Sequence, residues 1–149
     1  MDAAQTKAEA RKQMHFGQPQ VAVQILQGVL AQFGADPEAH ALMGAALAQS
    51  GGDAASVGHF EQAVRLAPRR ASHHYNLGVA YERVGRPDWA IEGYRHALQA
   101  DPYFEPACRA YYRLAPEYAP AGRPGGPPIA PAAGRMPEAV GRDLPRPEP

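Results

Sequence analysis

The chain has 149 residues, 45% of them apolar and 20% charged, with 15 basic residues against 15 acidic ones. The composition suits one globular domain with a tail. The charge is balanced on both sides of Leu114, 11 of each sign up to it and 4 of each beyond, which excludes the broad basic footprint of a nucleic-acid binder.

The N-terminal stretch is polar, and Lys7, Glu9, Arg11 and Lys12 interrupt any apolar run, so no signal-peptide core is expected there. No run of about eighteen apolar residues occurs anywhere, so no membrane span is expected. Cys108 is the single cysteine, and no intramolecular disulfide can form. A cytoplasmic protein is the expectation.

A period of 34 residues organises the chain: Gly17, Gly51 and Gly85 recur at that interval, as do Val23, Val57 and Ile91. Gly44 matches Gly78, Phe60 matches Tyr94, Ala63 matches Ala97, and Pro68 matches Pro102. Three units follow, at 3–36, 37–70 and 71–104. Each should be a helix, a glycine turn and a second helix. Glycine takes the positive φ of the turn without steric cost. Small residues at Gly44, Gly78, Ala63 and Ala97 let the paired helices approach closely.

The first unit is the most degenerate. It keeps Gly17, Ala22, Leu26 and Val29, but has Glu9 and Ala10 where later units have a packing pair. Terminal units often differ because one face meets solvent. Asp36-Pro37-Glu38 reads as an N-cap, a proline at the first helical position and an acidic first turn. In the third unit Leu77, Val79, Ala80, Tyr81 and Val84 form an apolar stripe at helical spacing. Residues 105–114 carry Ala107, Ala110, Tyr111, Tyr112 and Leu114. They form a fourth first-helix without a mate, placed to cap the array. From 115 to 149 the chain holds ten of its sixteen prolines and five glycines. That stretch cannot bury enough apolar surface to offset its ordering entropy and reads as a disordered proline-rich tail.

The third unit contains His74-x-x-Leu77-Gly78-x-x-Tyr81, then Gly85, Ala90-x-x-x-Tyr94, Ala97 and Pro102. It resembles the tetratricopeptide repeat, with His74 in the tryptophan slot and Tyr94 in the phenylalanine slot. The resemblance covers about residues 3–114. It implies an all-α fold: an α-solenoid of three helix–turn–helix units plus a C-terminal capping helix.

It also implies a function. In proteins of this kind the first helices line a concave groove that holds an extended peptide or a partner helix. The positions that face such a groove are Lys7 and Arg11 in the first unit and Leu42 and Ala45 in the second. In the third they are Tyr75, Asn76, Val79 and Arg83, and the capping helix adds Arg109 and Arg113. The groove then reads as apolar in the middle, amphipathic at the third unit and basic at both ends. Asn76 offers a donor and an acceptor to a ligand backbone, Tyr75 a flat contact with a polar tip, and the arginines pair carboxylates. One subfamily clamps the C-terminal carboxylate of heat-shock chaperones with Lys and Asn side chains. Ala41, Ala45, Pro106 and Ala110 stand in the matching slots around Asn76, so that clamp is not expected.

Other constellations point to no chemistry. His40, His74 and Cys108 recur at one repeat position, but packed helix axes lie about 8–10 Å apart, and zinc–ligand bonds are only about 2.0–2.3 Å long. No metal, no cofactor and no catalytic set is expected. Trp89 either covers the edge of its helix pair or anchors a partner. The sequence thus describes a non-catalytic module that binds a protein or peptide partner, a scaffold or adaptor without nucleic-acid or membrane contacts. The alternatives are a self-assembling homodimer, joined through Tyr103, Phe104, Tyr111 and Tyr112, and a tail that is itself a ligand.

Overall fold

A computed structural model of the protein describes residues 1–118. Seven α-helices occupy them: α1 (Ala3–His15), α2 (Pro19–Gln32), α3 (Pro37–Gln49), α4 (Asp53–Leu66), α5 (Ala71–Arg83), α6 (Pro87–Ala100) and α7 (Glu105–Leu114). No strand is present among the described residues. The first helices begin at Ala3, Pro37, Ala71 and Glu105 and the second helices at Pro19, Asp53 and Pro87, so both series keep the interval of the sequence repeat.

The turns explain the constant spacing. Gly17, Gly51 and Gly85 have φ of 73°, 85° and 77°. In the turn after α5, the Gly85 N–H donates to the Glu82 carbonyl at 3.0 Å and the Arg86 N–H to the Tyr81 carbonyl at 2.8 Å. The same pair of bonds closes α1 and α3, and together they form the Schellman ending that satisfies a helix's last carbonyls. The helix starts are set as directly. The Asp36 carboxylate accepts the Ala39 N–H at 3.0 Å and Pro37 occupies the first turn. At α1, Asp2 and Gln5 cap each other reciprocally, at 2.8 and 3.1 Å.

Packing within each pair depends on missing side chains. A Cβ on Gly44 would lie 2.9 Å from the Phe60 ring, and one on Gly78 would lie 2.6 Å from the Tyr94 ring. Gly93 meets Gly78 backbone to backbone, with its would-be Cβ 2.9 Å from the Gly78 Cα. Two apolar clusters result. Ala10, Ala22, Leu26, Met43 and Ala46 join the first two units. A larger cluster runs from Val57 and Phe60 through Tyr81, Tyr94 and Leu98 to Cys108 and Tyr111, tying the second and third units to α7. Fully burying a side chain such as Leu26 or Leu98 contributes about 1.5–3 kcal/mol over leaving it in water. Successive units therefore hold one another, as stacked repeats must.

Two sequence expectations shift. Val84 is exposed, not part of the buried stripe, because it is the C-cap residue and faces out of the turn. The packed chain also continues past Leu114. The Ala115 N–H donates to the Tyr111 carbonyl at 2.8 Å and Ala115 is buried, followed by a 3-10 turn at Pro116–Tyr118. The remainder of the expected tail, 119–149, lies outside the described residues.

Candidate functional site

The first helices stand side by side, and side-chain bonds between them run along one face. Lys7 of α1 reaches α3, donating to Asp36 and Glu38 at 2.7 Å each. Arg11 also pairs with Glu38. Arg83 at the end of α5 bonds the Ala48 carbonyl of α3 at 3.1 Å and the Asp53 carboxylate at 2.7 Å. Arg113 of α7 reaches Glu82 of α5 at 2.5 Å, while Arg109 pairs with Glu105 one turn away on the same helix.

The four cations that the sequence places at the ends of the groove, and Arg83 in the third unit, are thus all matched by acids. The ends are charge-balanced where the sequence reading made them basic. For Lys7, Arg11 and Arg113 the reason is register, since Asp36, Glu38 and Glu82 on the adjacent first helices or their caps lie within reach; Asp53 at the start of α4 serves Arg83, and Glu105 one turn back on α7 serves Arg109. The pairing favours the charged form of each partner. Burial works against the Lys7 charge, but the bonds to Asp36 and Glu38 outweigh it and hold the ammonium above its ordinary range. Burial likewise opposes the Asp36 charge, and Lys7 with the Ala39 N–H holds that carboxylate below its usual value. Glu82 is also held low: burial is outweighed by its bonds from Arg113 and Tyr94.

Glu82 is the residue that sequence reasoning undervalued. It accepts from both Arg113 and the Tyr94 hydroxyl. A signal was available, since a tyrosine in a slot that usually holds phenylalanine brings an O–H that needs an acceptor when buried.

The uncharged members of the set are half-buried. Leu42 packs against the first apolar cluster, and Ala45, Tyr75 and Val79 against the second. Tyr75 lies between the Tyr94 ring at 5.7 Å and the Phe104 ring at 5.7 Å. It walls a cavity of 650 Å³ between α5 and α7, which Pro106, Ala110, Arg109, Arg113 and Glu105 complete. Tyr75, Arg109 and Arg113 are therefore brought together. Lys7 and Arg11 are not part of this cavity; they sit at the opposite end of the row. Asn76, the neighbour of Tyr75 on α5, is half-buried, and its amide makes no hydrogen bond among the described residues. Pro106 and Ala110 leave the cavity without the side-chain amides or ammonium groups of a carboxylate clamp.

The histidine–cysteine series has a structural role. His40 Nε2 donates to the Gly34 carbonyl at 3.0 Å, His74 Nε2 to the Pro68 carbonyl at 2.7 Å, and Cys108 Sγ to the Pro102 carbonyl at 3.7 Å. Each clasps the link between units through a carbonyl six residues upstream. With its proton on Nε2, a neutral His40 accepts at Nδ1 from His59 Nδ1, 3.2 Å away. No group of three potential metal ligands exists among the described residues. His73 differs from its neighbour: it is buried, and neither ring nitrogen has a partner. Trp89 packs edge-on against Tyr81 at 5.3 Å and covers the edge of its helix pair. Of the four aromatics at the C-terminal end, Tyr111 is buried, Phe104 and Tyr112 are half-buried, and Tyr103 alone is 86% exposed. They do not form one open patch.

The architecture and the motif place this chain among the tetratricopeptide-repeat α-solenoids. Residues 74–104 match the tetratricopeptide repeat family model. Among solved structures, MamA aligns with a TM-score of 0.70 and 23% identity, covering 75% of this chain and 66% of its own. A Thermobaculum terrenum O-GlcNAc transferase mutant aligns at 0.69 and 25% identity, covering 74% of this chain and 21% of its own. The first TPR of Spaghetti (RPAP3), solved with the HSP90 peptide SRMEEVD, aligns at 0.72 and 16% identity, covering 77% and 91%. The chain spans less than two thirds of the MamA and transferase chains. No curated protein matches it.

Proposed function

We propose that the chain is a non-catalytic interaction module that takes a short peptide segment of a partner protein along its first-helix face. The observation that carries this reading is the cavity between α5 and α7, with Tyr75 in its wall and the unpartnered Asn76 amide beside it on α5. A peptide backbone needs a donor and an acceptor in one place, and an amide supplies both. Tyr75 adds apolar contact with few rotatable bonds to order. Leu42, Ala45 and Val79 continue the face with half-buried apolar surface. The charged side chains along it are tied into ion pairs, most of them between helices, which suits holding a ligand better than reacting with one. The peptide-bound relative lends support through its shared fold. A scaffold or adaptor role follows from a rigid row of helices that presents one face.

The test is selection of short random peptides on the full chain, followed by titration of the selected peptides against Asn76→Ala and Leu42→Glu. Loss of one amide hydrogen bond should weaken binding about tenfold for Asn76→Ala, and a buried carboxylate should abolish it for Leu42→Glu. Peptides that bind both variants as tightly as the original chain would show that this face is not the binding surface. Circular dichroism of each variant reports whether the fold is retained.

A further inference from the structure

A second recess lies on the other side of α5, away from Tyr75 and Asn76. It is a cavity of 330 Å³ between α4, α5 and α6. Val64 and Leu77 give it apolar walls, and the Tyr81 and Trp89 rings meet edge-to-face across it at 64°. Glu61 sits on the rim, its carboxylate accepting the Tyr81 hydroxyl at 2.9 Å. Arg65 is the cation beside it, bonded to Gln62 at 2.7 Å. The Trp89 indole N–H makes no hydrogen bond among the described residues. An indole nitrogen can only donate, so the recess combines aromatic surface with an unused donor.

That combination suits a proline-rich strand. Proline has no N–H, so such a strand presents a surplus of carbonyl acceptors. Its φ is already fixed, so it loses little freedom on docking. Aromatic-lined grooves with a few donors are the usual receptors for such segments. This chain carries one. Pro120, Pro124, Pro127, Pro128 and Pro131 follow Tyr118, and between Glu117 and Glu138 the only charges are Arg123 and Arg135. The segment carries no acidic group, and the recess itself is balanced by Glu61 and Arg65, so the match rests on the prolines and the aromatic walls.

We propose that the proline-rich run Pro120–Pro131 docks in cis into the Trp89–Tyr81 recess, against the convex side of the solenoid. Reach permits it. Pro124 to Pro131 stand 6 to 13 residues beyond Tyr118, which is about 19–40 Å of extended polyproline chain. Neighbouring packed helices are only about 8–10 Å apart. Tethering also supplies an effective concentration of about a millimolar, enough to fill a weak site. The run occupies the face opposite the peptide-binding side, so the two sites stay separate.

Trp89 is the only tryptophan in the chain, so its fluorescence reads this recess alone. Acrylamide quenching is measured on the full chain and on a full-length variant carrying Pro124→Ala, Pro127→Ala, Pro128→Ala and Pro131→Ala. Docking predicts quenching about twofold stronger in the variant, because a covered indole loses its shield when the strand no longer fits. Adding a synthetic peptide of residues 119–135 to the variant should restore the protection. Equal quenching in the two proteins overturns the proposal. A difference that grows with protein concentration overturns docking in cis and assigns the segment to a second copy. The substitutions lie outside the described helices, and equal circular dichroism checks that the recess is intact in both.

Discussion

At Gly78 two helices cross with no room for a methyl group. A Cβ there would stand 2.6 Å from Tyr94 and 3.2 Å from the Ala90 carbonyl, and the second contact is to backbone that cannot swing aside. Gly78→Ala gains helix propensity of about 1 kcal/mol but must push α5 from α6. Overpacking of that kind costs about 1–3 kcal/mol, so urea unfolding should show a net loss or at best no gain. A clear stabilisation would mean that the two helices do not meet as closely as described. Tyr94 completes this contact from the other side. It is fully buried, and burial, then the Glu82 carboxylate beside its hydroxyl, push its ionisation far above the ordinary tyrosine range. The glycine and the tyrosine were both legible from the repeat. The acceptor for the hydroxyl was not, because Glu82 lies on another helix and its sequence distance from Tyr94 carries no helical periodicity.

At the scale of the element, the start of α3 concentrates several functions in Asp36. Its carboxylate caps α3 through the Ala39 N–H and also receives Lys7 from α1. The cap was predictable from Asp36-Pro37-Glu38. The ion pair was not, since it depends on how α1 lies against α3. Asp36→Asn separates the two roles. Asparagine caps nearly as well as aspartate, so a loss with Asn reports the charge, while the further loss with Asp36→Ala reports the cap, about 1 kcal/mol. We expect Asp36→Ala to be the more destabilising in thermal melts. Equal melting for both variants and the original chain would deny Asp36 either role. The capping helix follows the same logic: its start was set by the repeat interval, but its grip on α5 through Arg113 and Glu82 needed the stacked helices.

For the whole molecule, three histidines make stability depend on pH: His73 is buried, His59 half-buried and His96 at the surface. His59, His73 and His96 all lie below the ordinary histidine value of 6.5, chiefly because burial penalises the charged ring. His40 lowers His59 further, and Arg70 and His74 lower His73, against an opposing pull from Glu38. Arg95 and His74 lower His96, opposed by Glu92. The unfolded rings take up protons as pH falls through 6.5, and the folded ones resist until lower pH. The unfolded state then binds more protons, so the stability contributed by these neutral rings is complete above that value and is lost as pH falls through the folded values. The urea midpoint should drop between about pH 7.5 and pH 5.5. His73→Phe should flatten part of the slope, since neither ring nitrogen has a partner to lose. A midpoint unchanged across that range would contradict the lowering of the three rings.

The sequence alone determined the helix starts, the glycine turns and the small-residue crossings, because each follows from steric rules acting within one repeat and the repeat is written three times. The resemblance, in turn, implied which positions of the first helices face a groove. Only the tertiary structure decided how those positions are used. It neutralised the cations of Lys7, Arg11, Arg83 and Arg113 across helices, set Tyr75 in the wall of a cavity, and left the Asn76 amide and the Trp89 indole N–H without a hydrogen bond among the described residues. The physical reason is that ion pairing and cavity formation depend on the offset between neighbouring helices, and the repeat period constrains spacing along the chain but not which long side chains meet across it.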